Sequence, residues 1–366
     1  MTAAGWEAGV VPLDDECRTR SPRRHSPRHQ SPRRCDVGSP IPYPPGMHEP
    51  SAWQPHEGTL LQMRADTRFG ADGLPDGWWF GRVSAVVTDS DGLAYVAHRG
   101  PAGDPIVVLD AAGRYVRSWG RGRIGSAHGL RMAPDGALWL TDVGRHEVTR
   151  WERDGTLTLS LGTSGVAGTD DQCFDMPTDV AFAPSGDVYV SDGYGNSRIV
   201  RFRADGRRMG SLGTRGTGPA GFHTPHSLIF GPDGLLYVSD RTNHRIRIFD
   251  AGGGPRGGWD HLGATQGIDF GADGSLWVVT YRSTLELVAQ DALGGRLMRL
   301  DPATGEVLAS VDANGHTVHR ALSGDIFVAS LAGSVIRFLA AWPMGEAELE
   351  EKDLLRSTLA GPNAFG

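Results

Sequence analysis

Pro225-His226-Ser227-Leu228-Ile229-Phe230-Gly231-Pro232-Asp233-Gly234-Leu235-Leu236-Tyr237-Val238-Ser239-Asp240 is one complete phrase of this chain: an apolar run, a Pro-Asp-Gly turn, an alternating strand and a small polar pair. Arg245-Ile246-Arg247-Ile248-Phe249 follows as a further strand, and a Gly-rich link ends the unit. Strand-period apolar residues bounded by glycine turns read as hairpins. The phrase recurs with its turn at Asp91-Gly92, Asp135-Gly136, Ser185-Gly186, Asp233-Gly234, Asp273-Gly274 and Ser323-Gly324, so successive turn glycines lie 44, 50, 48, 40 and 50 residues apart. Six near-equal units predict an all-β, six-bladed β-propeller, because a four-stranded blade buries both faces only when neighbours flank it. The propeller is expected over residues 51–340, with Gly58–Met63 as the strand that closes the ring with the last blade.

Outside that span the composition changes. Residues 1–50 repeat Ser-Pro-Arg at Ser21-Pro22-Arg23, Ser26-Pro27-Arg28 and Ser31-Pro32-Arg33, and continue with Pro40, Pro42, Pro44 and Pro45. This reads as a disordered arm. Residues 341–366 form an acidic segment, with one short C-terminal helix expected between Gly345 and Leu359. Of 36 basic residues only Lys352 is a lysine, which removes Schiff-base chemistry from the propeller body. The formal net charge is −7 and the body has no block of like charge, so nucleic acid is not an expected partner. No run of about eighteen apolar residues and no secretory leader can be read. Three cysteines, Cys17, Cys35 and Cys173, are too few for a disulfide scaffold. A cytoplasmic monomer that does not enter membranes is expected.

Eight residues before each turn glycine stands the residue that leads the innermost strand of its blade: Ser84, His128, Thr178, His226, Gln266 and His316. Every second blade offers histidine. Alternate blades of a six-blade ring are about 120° apart, so His128, His226 and His316 should converge on one channel mouth. Three neutral imidazoles with an open fourth position match a catalytic zinc, although imidazole also suits iron and copper. The competing reading is three packed core histidines. His98, His223, His244, His261 and His319 do not share the position and are expected to be surface or supporting residues. A second register follows the second strand of each blade, on the same face: His98-Arg99, Asp142-Val143, Asp192-Gly193-Tyr194, Asp240-Arg241, Thr280-Tyr281 and Ser330-Leu331. The repeated aspartates read as turn devices. Arg99, Tyr194, Arg241 and Tyr281 break the repeat; arginine suits a substrate carboxylate and tyrosine can give or take a proton.

The Pro-Asp-Gly turn, the strand ending in Ser-Asp and the Arg-Ile run before Phe, as in Pro232–Phe249, resemble the NHL repeat. Within that class the chain is similar to the peptidyl-α-hydroxyglycine α-amidating lyases over most of residues 80–339. The densest stretches are Pro177-Thr178-Asp179-Val180-Ala181, Val190-Ser191-Asp192-Gly193-Tyr194-Gly195-Asn196-Ser197-Arg198-Ile199-Val200 and Pro225-His226-Ser227-Leu228, with Gly81-Arg82-Val83-Ser84, His98-Arg99-Gly100 and His128-Gly129-Leu130 besides. The resemblance implies zinc held by His128, His226 and His316, a catalytic tyrosine at Tyr194 and a catalytic arginine at Arg99. The implied reaction splits a carbinolamide, the C-terminal α-hydroxyglycine of a peptide, into an amide and glyoxylate, with no organic cofactor.

Two departures accompany it. The family's structural calcium is held by two carbonyls, here Val86 and Leu130, and by an aspartate after the third histidine, where this chain has Thr317; calcium is therefore not expected. The family's disulfide cysteine beside the tyrosine is Gly195 here, and Cys173 is not at the partner position. With no copper monooxygenase segment in the sequence, the alternatives are a zinc-dependent lyase or hydrolase acting on a different small metabolite, or a non-catalytic NHL interaction module. A lactonase-type propeller would need inward Glu, Asp and Asn ligands, which the leading positions lack.

Overall fold

The computed structural model describes residues 59–60, 63–281 and 295–340. The N-terminal arm and the C-terminal helix read from the sequence lie outside the described residues. The six expected units are six antiparallel sheets arranged as blades, whose inner strands are Arg82–Thr88, Ala127–Met132, Asp179–Phe182, Pro225–Phe230, Thr265–Phe270 and Thr317–Arg320. The two 3-10 turns, Ala71–Gly73 and Arg241–Asn243, are the helical elements among the described residues. None is long and apolar enough to cross a membrane. Each turn glycine that marked the period holds a left-handed backbone, φ between +76° and +91°, which a side chain would strain.

Alternation along the strands decides where the core sits. In the third blade Val188 and Val190 face the second blade, packing with Trp139, Val148 and Leu161, while Tyr189 between them faces the fourth blade with Leu228, Leu236 and Val238. Side chains of a strand alternate between faces, so one strand feeds two interfaces. Around the ring the buried apolar side chains among the described residues fall into six clusters, each between two adjacent blades, and the last joins Phe327, Ala329 and Val335 to Val83, Val96 and Val107 of the first. Burying one Leu or Val in such a layer stabilises by about 1.5–3 kcal/mol.

Ring closure differs from the sequence expectation. The last blade supplies three strands, Thr317–Arg320, Ile326–Ser330 and Ser334–Phe338, and its fourth is Ala65–Asp66, antiparallel to the third with Ala65 opposite Phe338. Thr59–Leu60, from the segment expected to close the ring, instead runs parallel to Val307–Asp312 on the outer edge of the fifth blade. The outer edge of the last blade is filled by the residues just before the first blade, and the apolar pair upstream reaches only the next edge along.

Candidate metal centre

The leading residue of each inner strand is released from the strand ladder. In the first, second, fourth and fifth blades the register shifts at that point, between Val83 and Ala85, Ala127 and Leu130, Pro225 and Ser227, and Thr265 and Gly267. In the third and sixth blades Thr178 and His316 precede the first ladder residue. An irregularity of this kind re-aims a side chain. Here it brings His128, His226 and His316 together, with one ligand nitrogen from each within 4.8 Å of the others. They are 1%, 1% and 3% exposed.

Each histidine is held from the neighbouring blade. The Nδ1–H of His128 donates to the Thr178 carbonyl at 2.7 Å, that of His226 to the Gln266 carbonyl at 2.8 Å and that of His316 to the Ser84 carbonyl at 2.7 Å. A carbonyl only accepts, so the neutral rings carry their proton on Nδ1 and turn the Nε2 lone pair to the axis. Gly129 permits the close approach: a Cβ there would stand 2.6 Å from the Thr178 oxygen. The Nε2 atoms of His128 and His316 are 3.1 Å apart. Two facing lone pairs cannot hydrogen-bond, whereas nitrogens ~2.0–2.1 Å from a shared tetrahedral ion stand about 3.4 Å apart. The donor set thus fits a cation. Desolvation and, in second place, neighbouring positive charge keep protons off: the His316 ring is pushed down to about 3, by burial and then by Arg99. His128 and His226 also lie well below the ordinary value, through burial and then the charge of a neighbouring histidine.

Tyr194 and Arg99 reach this centre from the second register. The Tyr194 hydroxyl lies 3.0 Å from His128 Nε2 and 3.2 Å from His226 Nε2, its ring edge-on to both imidazoles. Gly193 before it has no room for a side chain, since a Cβ would come within 2.2 Å of the Pro225 carbonyl. Asp192 pins the loop, accepting from the Asp175 N–H at 2.8 Å, Asn196 Nδ2 at 2.7 Å and Arg198 Nε at 2.9 Å. The repeated aspartates are thus loop fasteners; Asp142 and Asp240 do the same work in their blades. Arg99 Nε donates to the Ala127 carbonyl at 2.6 Å. Its Nη2 is buried and without a hydrogen-bond partner among the described residues. Desolvation lowers its basicity, and the nearby Tyr194 oxygen opposes that.

The other candidates separate. Arg241 adds positive charge near His226 and His316. Tyr281 makes no hydrogen bond to the triad among the described residues. His98 accepts from the Gly81 N–H and donates to the Asp104 carbonyl, His261 donates to the Gly305 carbonyl, and His244 sits in a left-handed turn. The carbonyls of Ser84, Thr178 and Gln266 carry no mark in the sequence, being backbone groups. Beside the tyrosine, a Cβ at Gly195 would stand 2.1 Å from the Asp175 side chain, and Cys173 is a buried free thiol.

Known proteins resemble this chain in repeat and in fold. The NHL repeat model matches residues 174–202 and 222–249, the third and fourth blades. Peptidyl-α-hydroxyglycine α-amidating lyase 2 of Drosophila melanogaster is 30% identical over 154 residues, which cover 36% of this chain and 38% of that one. The chain spans well under two thirds of the length of the amidating lyases and monooxygenases it matches. Among solved structures, a streptogramin B lyase superposes with a TM-score of 0.53 over 76% of this chain and 98% of its own at 16% identity, a likeness of fold alone. NHL repeat-containing protein 3 of Homo sapiens is 32% identical over 235 residues, covering 59% of this chain and 67% of its own length. With the repeat matched in two blades and its turn and strand pattern carried through all six, this chain belongs to the NHL-repeat family of β-propellers.

Proposed function

We propose that this chain is a metal-dependent lyase that breaks the C–N bond of a carbinolamide, releasing an amide and glyoxylate. The observation that carries the reading is the meeting of Tyr194 Oη with the Nε2 atoms of His128 and His226 beside an Arg99 Nη2 that has no hydrogen-bond partner among the described residues. The names of relatives at 30–38% identity, amidating lyases, support it. Zinc on the three Nε2 atoms would supply a Lewis acid that makes the substrate hydroxyl more acidic. Arg99 offers its free donor to the substrate carboxylate, a charge-assisted bond that fixes which way the carbinol carbon faces. Once its own proton has been lost, Tyr194 Oη takes the hydroxyl proton. The O–H electron pair becomes the C=O bond of glyoxylate, the C–N pair leaves with nitrogen, and Tyr194 returns the proton to that nitrogen as the amide forms. Burial of the histidines keeps bulk water from competing.

The test offers α-hydroxyhippurate and a peptide ending in α-hydroxyglycine, and measures glyoxylate with and without a chelator. Chelator-sensitive glyoxylate is expected. A protein that binds zinc and releases none would move the reaction to another small carbinolamide or hemiaminal. A protein that binds no metal would leave a propeller that serves as an interaction module.

A further inference from the structure

Three residues further into the channel than His128 lies a charged cluster that the proposed reaction does not use. Arg131 is only 13% exposed along its side chain and ion-pairs with Asp179 at 2.8 Å and Asp269 at 3.3 Å, which are 5% and 9% exposed. Its Nη2 also donates to Ser227 Oγ and to the Ile268 carbonyl, both at 3.0 Å. From there the hydrogen bonds continue. Ser227 Oγ donates to Asp179 at 2.8 Å, and Asp269 accepts from the Arg320 N–H at 2.7 Å. His319 Nδ1 stands 3.3 Å from Asp269, while its Nε2 accepts from the Thr88 N–H at 3.0 Å. Arg131 belongs to the second blade, Asp179 to the third, Ser227 to the fourth, Asp269 to the fifth, His319 to the sixth and Thr88 to the first. One polar girdle crosses all six blades, with a guanidinium as its cation.

Two buried carboxylates facing one channel are costly unless a cation sits between them. The calcium implied by the family resemblance does not fit here. Thr317, at the position of the expected carboxylate, donates its hydroxyl to the Ser84 carbonyl at 3.2 Å and brings no negative charge. The girdle also touches the supports of the histidines: Asp179 follows Thr178, Ser227 follows His226, and Ile268 lies two residues past Gln266, whose carbonyl holds His226.

We propose that Arg131 is a built-in channel cation and a positioning residue for the histidine triad, doing with a fixed guanidinium what a bound divalent ion would do at that level. The positioning half rests on the triad's being a metal site; the cation half does not. Burial alone would lower the basicity of Arg131, but Asp179 and Asp269 outweigh it and raise it, so the charge is permanent.

The experiment uses the full chain and the variants Arg131→Ser and Arg131→Lys. Melting temperature is followed against calcium chloride, and zinc affinity by competition with a chromogenic chelator. Removing the guanidinium leaves Asp179, Asp269, Ser227 Oγ and the Ile268 carbonyl, a set of hard oxygen ligands. Arg131→Ser should melt below wild type and recover with millimolar calcium, whereas wild type should not respond. Arg131→Lys keeps a charge but loses the fork, so it should fold and bind zinc about tenfold more weakly. Calcium-indifferent melting of a soluble Arg131→Ser, or a calcium response in wild type, would overturn the built-in cation. Wild-type zinc affinity in Arg131→Lys would overturn the positioning role, even if Arg131→Ser yields no soluble protein. A wild type that binds no zinc would remove the metal reading, and positioning with it, while the calcium arm still decides the cation.

Discussion

His128 and His316 each commit their Nδ1 proton to a carbonyl, which leaves two lone pairs 3.1 Å apart and one Tyr194 hydroxyl to serve the neighbouring nitrogens. A cation resolves that shortage of protons, so replacing any one of His128, His226 or His316 by Ala should remove most of the bound metal, about one ion per chain in wild type, while the far-ultraviolet spectrum stays that of the folded ring. Full metal retention in all three variants would sink the assignment. Tyr194→Phe should keep metal and substrate yet lose turnover by roughly two to four orders of magnitude, and Arg99→Lys should show its defect partly in KM; a fully active Tyr194→Phe would send the proton elsewhere. The same histidines set a pH dependence for the metal-free protein. Their folded values lie below the unfolded one, so the unfolded chain binds more protons as pH falls from about 6.5 toward about 3, and stability present above that window is lost through it. The urea midpoint of chelated protein should drop between pH 7.5 and pH 5, and a flat profile would contradict the burial that causes it. At this scale the meeting of the three histidines was readable, because each stands eight residues before the turn glycine of its own blade, whereas the second register left Tyr194 and Arg99 level with Arg241 and Tyr281 and only the family resemblance singled them out. Arg131 was not, since its partners Asp179 and Asp269 are 48 and 138 residues away and nothing local distinguishes it from a surface arginine.

Strands and turns carry the next layer. The turn glycines and the alternation of Val188, Tyr189 and Val190 made the blades legible, because a left-handed turn needs glycine and two-faced burial needs an apolar residue at nearly every position. The register shifts that free Ser84, His128, His226 and Gln266 from the ladder were not legible, since a shifted residue looks like any other until its partner strand is placed. Inner strands of adjacent blades meet closely at Gly129, where an added Cβ would stand 2.6 Å from the Thr178 oxygen and 3.0 Å from the Asp179 Cα. Both atoms are backbone and cannot swing aside. Gly129→Ala should therefore cost about 1–3 kcal/mol of stability by overpacking and weaken metal binding, because the shift falls on the carbonyl that orients His128. An unchanged denaturation midpoint together with wild-type metal affinity would mean that the two strands can part without loss.

Over the whole ring, stability depends on each blade having two neighbours, and the join between the last blade and the first is made through shared packing and a borrowed strand. That strand is short. Ala65 and Asp66 pair with Phe338 and Arg337, and the Leu339 N–H donates to the Arg64 carbonyl. Two residues carry no readable period, which is why the sequence pointed to the more apolar stretch just upstream. Their position still matters more than their length, because without them the Ser334–Phe338 strand becomes an open edge, and removing the chain up to Thr67 also takes Met63 from the cluster that holds Ile326 and Phe338. Deleting residues 1–50 removes neither pairing, and its Pro- and Arg-rich composition offers little apolar surface to bury. Chains beginning at Ser51 and at Arg68 should therefore part company: the first should melt with wild type, and the second should melt several degrees lower, with the gap closing on addition of a peptide that spans residues 59–68. A chain beginning at Arg68 that melts with wild type would show that packing between the first and last blades closes the ring without the borrowed strand. Loss of soluble protein already on removing residues 1–50 would show that the arm contributes to the fold despite its composition.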